Sequence, residues 1–227
     1  MKIFGIDTTT RFLCIGIYDN GKVYGYNLQL GRMHSRLIMV SVKRLLDALS
    51  WRIGDIDYFA CGSGPGSFTG ARIAAAAIKG LAWSLNKPVI SVSSLDILAA
   101  NAADWRGIIM PAVDAKRGLI YTSIYSSKNG RIKRIAPYML LCVEDFLKKI
   151  RPDSAVFGDA LALYREKILR QKKSVRLLDR DYWQLAGSNI IAPALEKIKH
   201  GRLNNAFDIK PIYLYPKECQ IRNLRPK

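Results

Sequence analysis

The sequence predicts an α/β protein of two similar lobes, each a mixed β-sheet with helices packed on it. Three observations carry that prediction. The chain opens on strand-sized apolar runs joined by an Asn-Gly turn, a strand-helix-strand unit comes next, and near Asp104 the strand, strand, turn pattern starts again. At 227 residues the chain fits one to two domains. A boundary between Ala100 and Trp105 divides it into an N-terminal lobe over 1–103 and a C-terminal lobe over 104–227, whose last segment can pack back on the first lobe.

Ile3–Ile6 and Phe12–Tyr18 read as strands, and Asp19-Asn20-Gly21-Lys22 turns the chain into Val23–Tyr26. Asn and Gly accept the positive φ that a two-residue hairpin demands. From Met33 to Leu49, Ile38, Val42, Leu45 and Leu49 keep helical spacing on one face, while Met33, Leu37 and Val40 line another. So wide an apolar surface belongs either to a helix sandwiched inside one domain or to a helix that meets a partner chain. Ile56–Cys61 reads as a strand, followed by a Gly-rich loop over 62–70 and a helix over Ala71–Leu85 that is small on most faces. Lys87-Pro88 ends that helix and Val89–Val92 returns as a strand, which implies a right-handed crossover. In the second half, Ile108–Val113 and Leu119–Tyr125 read as strands and Lys128–Arg131 as a turn. Helices are expected over Glu144–Ile150, Leu161–Arg170 and Trp183–Lys199, the last disturbed by Pro193.

Hydrophobic residues at 49% and charged residues at 24% exclude a disordered or fibrous chain. The net charge of +18 favours polyanionic partners, and it is uneven: residues 1–105 carry 11 basic and 7 acidic side chains, residues 106–227 carry 25 and 11. The densest run holds Arg165, Lys167, Arg170, Lys172, Lys173 and Arg176 against one Glu. Such a run is either a solvated helix face or a contact to nucleic-acid phosphates. Cys14, Cys61, Cys142 and Cys219 are too scattered for CxxC chemistry and read as small buried hydrophobes. Asp7 stands where a signal peptide would need its apolar stretch, and no apolar run approaches the roughly 20 residues of a membrane span, so a cytoplasmic protein with no membrane partner is expected.

The Gly-rich loop lacks the Lys-Ser/Thr of a phosphate-binding loop and the third Gly of a dinucleotide fingerprint. With His34 and His200 as its two histidines, the chain offers no paired-His metal site. Asp7 and Asp114 each end a first strand, and both are expected to face a cleft between the lobes. They are either Mg²⁺ ligands or bases of a stand-alone small-molecule kinase, or simply turn formers. Asp7, Thr8 and Thr9, with Ser67 and Thr69 at the helix start, are candidates for a nucleotide or anion loop, although a rigid helix start explains the same residues.

IDTTT at 6–10, RMHSRLI around His34, GPGSFTGARI at 64–73, VSSLDIL from Val92, VDAKRGLIY from Val113 and PIYL from Pro211 occur in this order. Together they resemble the TsaB family of tRNA threonylcarbamoyladenosine biosynthesis proteins, densely to about residue 125 and sparsely beyond. The resemblance implies the two-lobed actin, Hsp70 and sugar-kinase (ASKHA) fold. It also implies a non-catalytic scaffold or activator subunit of the bacterial complex that transfers a threonylcarbamoyl group from threonylcarbamoyl-AMP to N6 of the adenosine 3′ of the tRNA anticodon. Implied partners are a TsaD-like catalytic paralogue, a TsaE-like ATPase and, through the complex, tRNA, with a homodimer when the chain is alone. No cofactor is implied for this chain by itself, the complex using ATP and threonylcarbamoyl-AMP. The two N-lobe helices are the implied partner interface, which singles out Met33, His34, Leu37, Val40, Ser41, Arg44, Arg72, Ala75, Ala76 and Lys79.

Overall fold

The structure is a computed structural model that describes residues 1–31 and 33–215; the His34 side chain and Cys219 lie outside the described residues. In the first half, β1 (Lys2–Asp7), β2 (Phe12–Asp19) and β3 (Lys22–Gln29) form an antiparallel meander, followed by α1 (His34–Ala48), β4 (Tyr58–Gly62), α2 (Phe68–Ser84), β5 (Val89–Val92) and α3 (Ser94–Ala99). The second half holds β6 (Gly107–Lys116), β7 (Leu119–Thr122), β8 (Tyr125–Lys128), β9 (Arg131–Arg134), β10 (Met139–Cys142), α4 (Val143–Lys149), β11 (Ala155–Phe157), α5 (Leu161–Gln171), β12 (Arg176–Leu177) and α6 (Ile191–Lys199).

The first sheet runs β3-β2-β1-β4-β5 and the second β10-β7-β6-β11-β12, with the β8–β9 hairpin added on β6. In both, the first strand pairs antiparallel to the second and parallel to a later one. The repeated strand pattern of the sequence is therefore a repeated topology, and Asp7 and Asp114 stand at corresponding places in it.

Burial follows the two-residue period of strands. Phe4 and Ile6 face the core under α1 and α2, whereas Ile3 faces the opposite core shared with α3, α6 and strands of the second sheet. Ile38, Val42 and Leu46 seat α1 on the first of these cores. Gly5, Gly16 and Gly25 are in register across β1, β2 and β3. A Cβ on Gly16 would lie 2.3 Å from the Gly187 carbonyl oxygen, so this glycine row admits the segment leading into α6 against the sheet.

That packing corrects one expectation. The helix foreseen over Trp183–Lys199 is a non-helical stretch over 183–186, one 3-10 turn, Gly187–Ile190, and then α6. Gly187 donates its N–H to Asn27 Oδ1 at 2.8 Å instead of to a helical carbonyl, and Pro193 falls in the first turn of α6, where no intrahelical donor is needed. The strand foreseen over Leu119–Tyr125 also breaks, because its two ends pair with different parts of β6. The helix foreseen from Ala71 starts a turn earlier, at Phe68, capped by Ser67.

The free edge of β5 is sealed. Val89 exchanges both backbone bonds with Asn204, Ser91 N–H donates to Asn204 Oδ1 and Lys197 Nζ donates to Ser91 O at 2.6 Å. From Leu203 to Tyr215 the chain then runs along α2 and across to the second sheet, ending with Tyr215 Oη donating to Ala115 O at 2.7 Å.

Candidate functional site

Three sequence motifs converge on Asp7. Its carboxylate, fully buried, accepts from Thr9 N–H and Thr9 Oγ1 (2.7 Å each) and from Ser94 Oγ at 2.6 Å. Ser94 Oγ also accepts from Gly64 N–H, and Ser93 Oγ donates to Gly64 O. Thr8 Oγ1 donates to Gly70 O at 2.6 Å and Ser67 N–H to Thr9 O at 2.8 Å. The glycines serve close approach: a Cβ on Gly62 would lie 2.1 Å from Asp7 Oδ2, and one on Gly70 would lie 1.9 Å from Thr8 O. IDTTT, GPGSFTG and VSSLD are thus one hydrogen-bonded lattice that fixes the start of α2.

This corrects the expectation of a cleft-facing Asp7. Asp7, Thr8 and Thr9 spend their polar groups inside the lattice, Ser67 Oγ caps α2 by accepting Gly70 N–H at 3.1 Å, and Thr69 is left exposed. Cys14 and Cys61 flank this site. Burial first, and the Asp7 charge second, push the Cys61 thiol up to about 12 and the Cys14 thiol upward too, so both are inert hydrophobes at neutral pH. Cys142 is only half-buried, its Sγ 3.3 Å from Asp145 Oδ2, which departs from the expectation for it.

Asp114 does reach the interlobe cleft, a cavity of about 1090 Å³. Its oxygens accept from Lys116 N–H (2.8 Å) and Lys116 Nζ (2.6 Å), and its own N–H donates to Asp159 Oδ1. Lys116, Arg117 and Gly118 all have positive φ (67°, 54° and 76°), a left-handed tract at the tip of the β6–β7 hairpin. Arg11 and Arg180 add further positive charge to the cleft walls. The two carboxylates of the kinase alternative are therefore not brought together.

On the opposite side of the lattice lies the α1–α2 face. Met33 (51% exposed), Val40 (44%) and Trp83 (67%) are uncovered, and Arg44 and Ala76 are exposed beside them. Several candidates differ from expectation: Ser41 and Ala75 are buried within the lobe, and Leu37 is half-buried against its core. Arg72 and Lys79 serve the C-terminal segment. Arg72 Nε donates to Tyr213 Oη at 3.0 Å with its guanidinium 3.8 Å over Phe68, and Lys79 Nζ donates to Phe207 O at 3.3 Å. Phe68 with Tyr213 and Trp83 with Phe207 make two ring pairs along this face, a feature the helical pattern did not announce because one member of each pair lies over 120 residues away.

A profile of the TsaD family, tRNA N6-adenosine threonylcarbamoyltransferase, matches residues 29–172. The chain is 30% identical over 182 residues to the tRNA threonylcarbamoyladenosine biosynthesis protein TsaB of Buchnera aphidicola subsp. Schizaphis graminum, covering 75% of this chain and 86% of that one. The chain belongs to the TsaB family. TsaB of Bacillus subtilis is 37% identical over 152 residues, a stretch that spans 66% of either chain. YeaZ from Pseudomonas aeruginosa superimposes with a TM-score of 0.82 at 25% identity, covering 94% of this chain and 99% of that one. The two-lobed ASKHA architecture is thus that of the family. No helix among the described residues is long and apolar enough to cross a membrane.

The basic run of this TsaB-family chain lies on α5, the loop after it and the start of β12. Arg165, Lys173 and Arg176 are exposed and Lys172 is half-buried. Lys167 pairs with Glu144 of α4, and Arg170 lies 3.8 Å from Glu166.

Proposed function

We propose that this chain is a non-catalytic scaffold and activator subunit of a complex that transfers a threonylcarbamoyl group from threonylcarbamoyl-AMP to N6 of the adenosine 3′ of the tRNA anticodon. It docks a TsaD-like catalytic paralogue on the α1–α2 face, and alone it pairs two copies through the same face. The observation that carries this reading is the exposed apolar set Met33, Val40 and Trp83, laid beside Ala76 and Gly80, where two backbones can approach closely. The lattice around Asp7 supports it: a carboxylate that accepts from Thr9 and Ser94 holds α2 rigid for docking and is not poised as a base. In this reading the chain holds no cofactor of its own. ATP and threonylcarbamoyl-AMP are handled by the paralogue and a TsaE-like ATPase in the cytoplasm, and tRNA reaches the complex with Arg165, Lys173 and Arg176 beside its backbone.

The test is assembly with the catalytic paralogue of the same cell, followed by size-exclusion chromatography. Val40→Asp places a charge on an exposed site without touching the core and is expected to weaken assembly by roughly tenfold or more. Co-elution of Val40→Asp with the paralogue at the parent's concentration dependence would rule this face out.

A further inference from the structure

A second cavity, of about 600 Å³, opens where the sealed edge of β5 meets the end of β9, and three cations line it: Arg134, Lys197 and Arg202. They come from separate elements, Arg134 closing β9, Lys197 in the last turn of α6 and Arg202 just beyond it. One carboxylate, Asp96 of α3, shares the cavity, and both of its oxygens are taken: Tyr125 Oη donates to Oδ1 at 2.8 Å and Tyr138 Oη to Oδ2 at 2.7 Å. Among the described residues, none of the three cations lies within ion-pairing distance of a carboxylate.

The cations keep donors to spare. Lys197 Nζ donates to Ser91 O and retains two of its three protons for another acceptor. Arg134 lies with its guanidinium carbon 4.0 Å over the Tyr138 ring, a cation–π contact that engages no hydrogen-bond donor of its fork with a carboxylate among the described residues. The Arg202 side chain is exposed and forms no ion pair. Burial, with Arg134 and Arg202 adding to it, lowers the Lys197 ammonium from its ordinary range, although Asp96 acts the other way. An arriving anion relieves that repulsion, and a tetrahedral oxyanion matches two guanidinium forks and an ammonium.

We propose that Arg134, Lys197 and Arg202 form a phosphate-binding site on the seam between the lobes. Its ligand is a phosphate oxyanion, supplied either by an RNA phosphodiester or by free phosphate. The proposal stands on this cavity and is independent of the docking reading above.

The test uses the full chain and two probes: inorganic phosphate by titration calorimetry, and an unmodified tRNA transcript by fluorescence anisotropy at several salt concentrations. Arg202→Glu is the principal variant, because its exposed side chain forms no hydrogen bond or ion pair among the described residues; Arg134→Gln is the second. Both are expected to bind one or both probes at least about tenfold more weakly, with the tRNA salt slope reduced by about one unit per variant. Lys22→Glu, a charge reversal at the exposed start of β3, is the control and is expected to leave binding of both probes within about twofold of the parent. Loss with tRNA alone identifies a phosphodiester ligand, and loss with phosphate alone a free one. Parent-like affinity of both variants for both probes, or a parent chain that binds neither, overturns the proposal. Assembly with the catalytic paralogue should be unchanged in Arg202→Glu, so this result and that of Val40→Asp fail separately.

Discussion

Asp7 and Asp114 occupy the same place in two lobes of matching topology, each at or near the end of a first strand, yet they have opposite fates. Asp7 is sealed under GPGSFTG and holds three donors from Thr9 and Ser94. Asp114 sits on an open hairpin and pairs with a lysine two residues away. The difference lies in the loop that leaves the neighbouring parallel strand. After β4 a loop of glycines folds down onto Asp7, whereas after β11 the corresponding turn, with one glycine, leaves the β6–β7 hairpin to the cleft. One duplicated frame thus buries its carboxylate in one lobe and presents it to the cleft in the other.

Substitutions can break that contrast. The largest effect is expected from glycine replacement. Gly70→Ala drives a methyl group to within 1.9 Å of the Thr8 carbonyl and should cost about 3 kcal/mol or more in urea unfolding. Gly118→Ala meets open space at a φ of 76° and should cost about 1 kcal/mol. Equal losses would mean that the lattice is not rigid. The carboxylates come next. Asp7→Asn removes one acceptor and turns an amide toward Thr9 and Ser94 donors, an expected loss of about 2 kcal/mol, whereas Asp114→Asn gives up an ion pair to an exposed lysine, worth less than about 1 kcal/mol. A smaller Asp7 effect would remove the argument that this lattice stiffens α2. The third contrast leaves stability untouched: native-state alkylation read by peptide mass spectrometry should modify Cys142 and spare Cys14 and Cys61. Labelling of Cys61 before Cys142 would show that the first lobe opens.

Much of this was readable in the sequence wherever local chemistry dictates structure. The Asn20-Gly21 turn, the spacing of Ile38 and Val42, and the strand at Val89–Val92 each arise from a short window and each hold. What the sequence hid is long-range. The row Gly5, Gly16 and Gly25 reads as three weak strand positions until register aligns it, and only then does it explain why Gly187–Ile190 is a 3-10 turn and not a turn of the α-helix. The site residues behaved likewise. IDTTT, GPGSFTG and VSSLD are each visible, but their meeting around Asp7, which accepts from Thr9 and Ser94, depends on β1, β4 and α3 coming together, which no spacing rule supplies. Arg72 and Lys79, which the resemblance assigns to a partner interface, are occupied there by residues more than 120 positions away.

The run from Leu203 to Tyr215 also has a mechanical meaning. It is fastened to the β5 edge at Asn204, to α2 at Phe207 and Tyr213, to the Gly-rich loop through Ile212 N–H on Ser63 O, and to the far lobe through Tyr215 on Ala115. Such a chain behaves as a drawstring. Spreading the cleft stretches it, so the lobes separate only by unfastening Tyr215 or by hauling α2 along with them. The run thus ties α2 to the hairpin that carries Asp114 by a continuous stretch of chain, in addition to the core that the two sheets share.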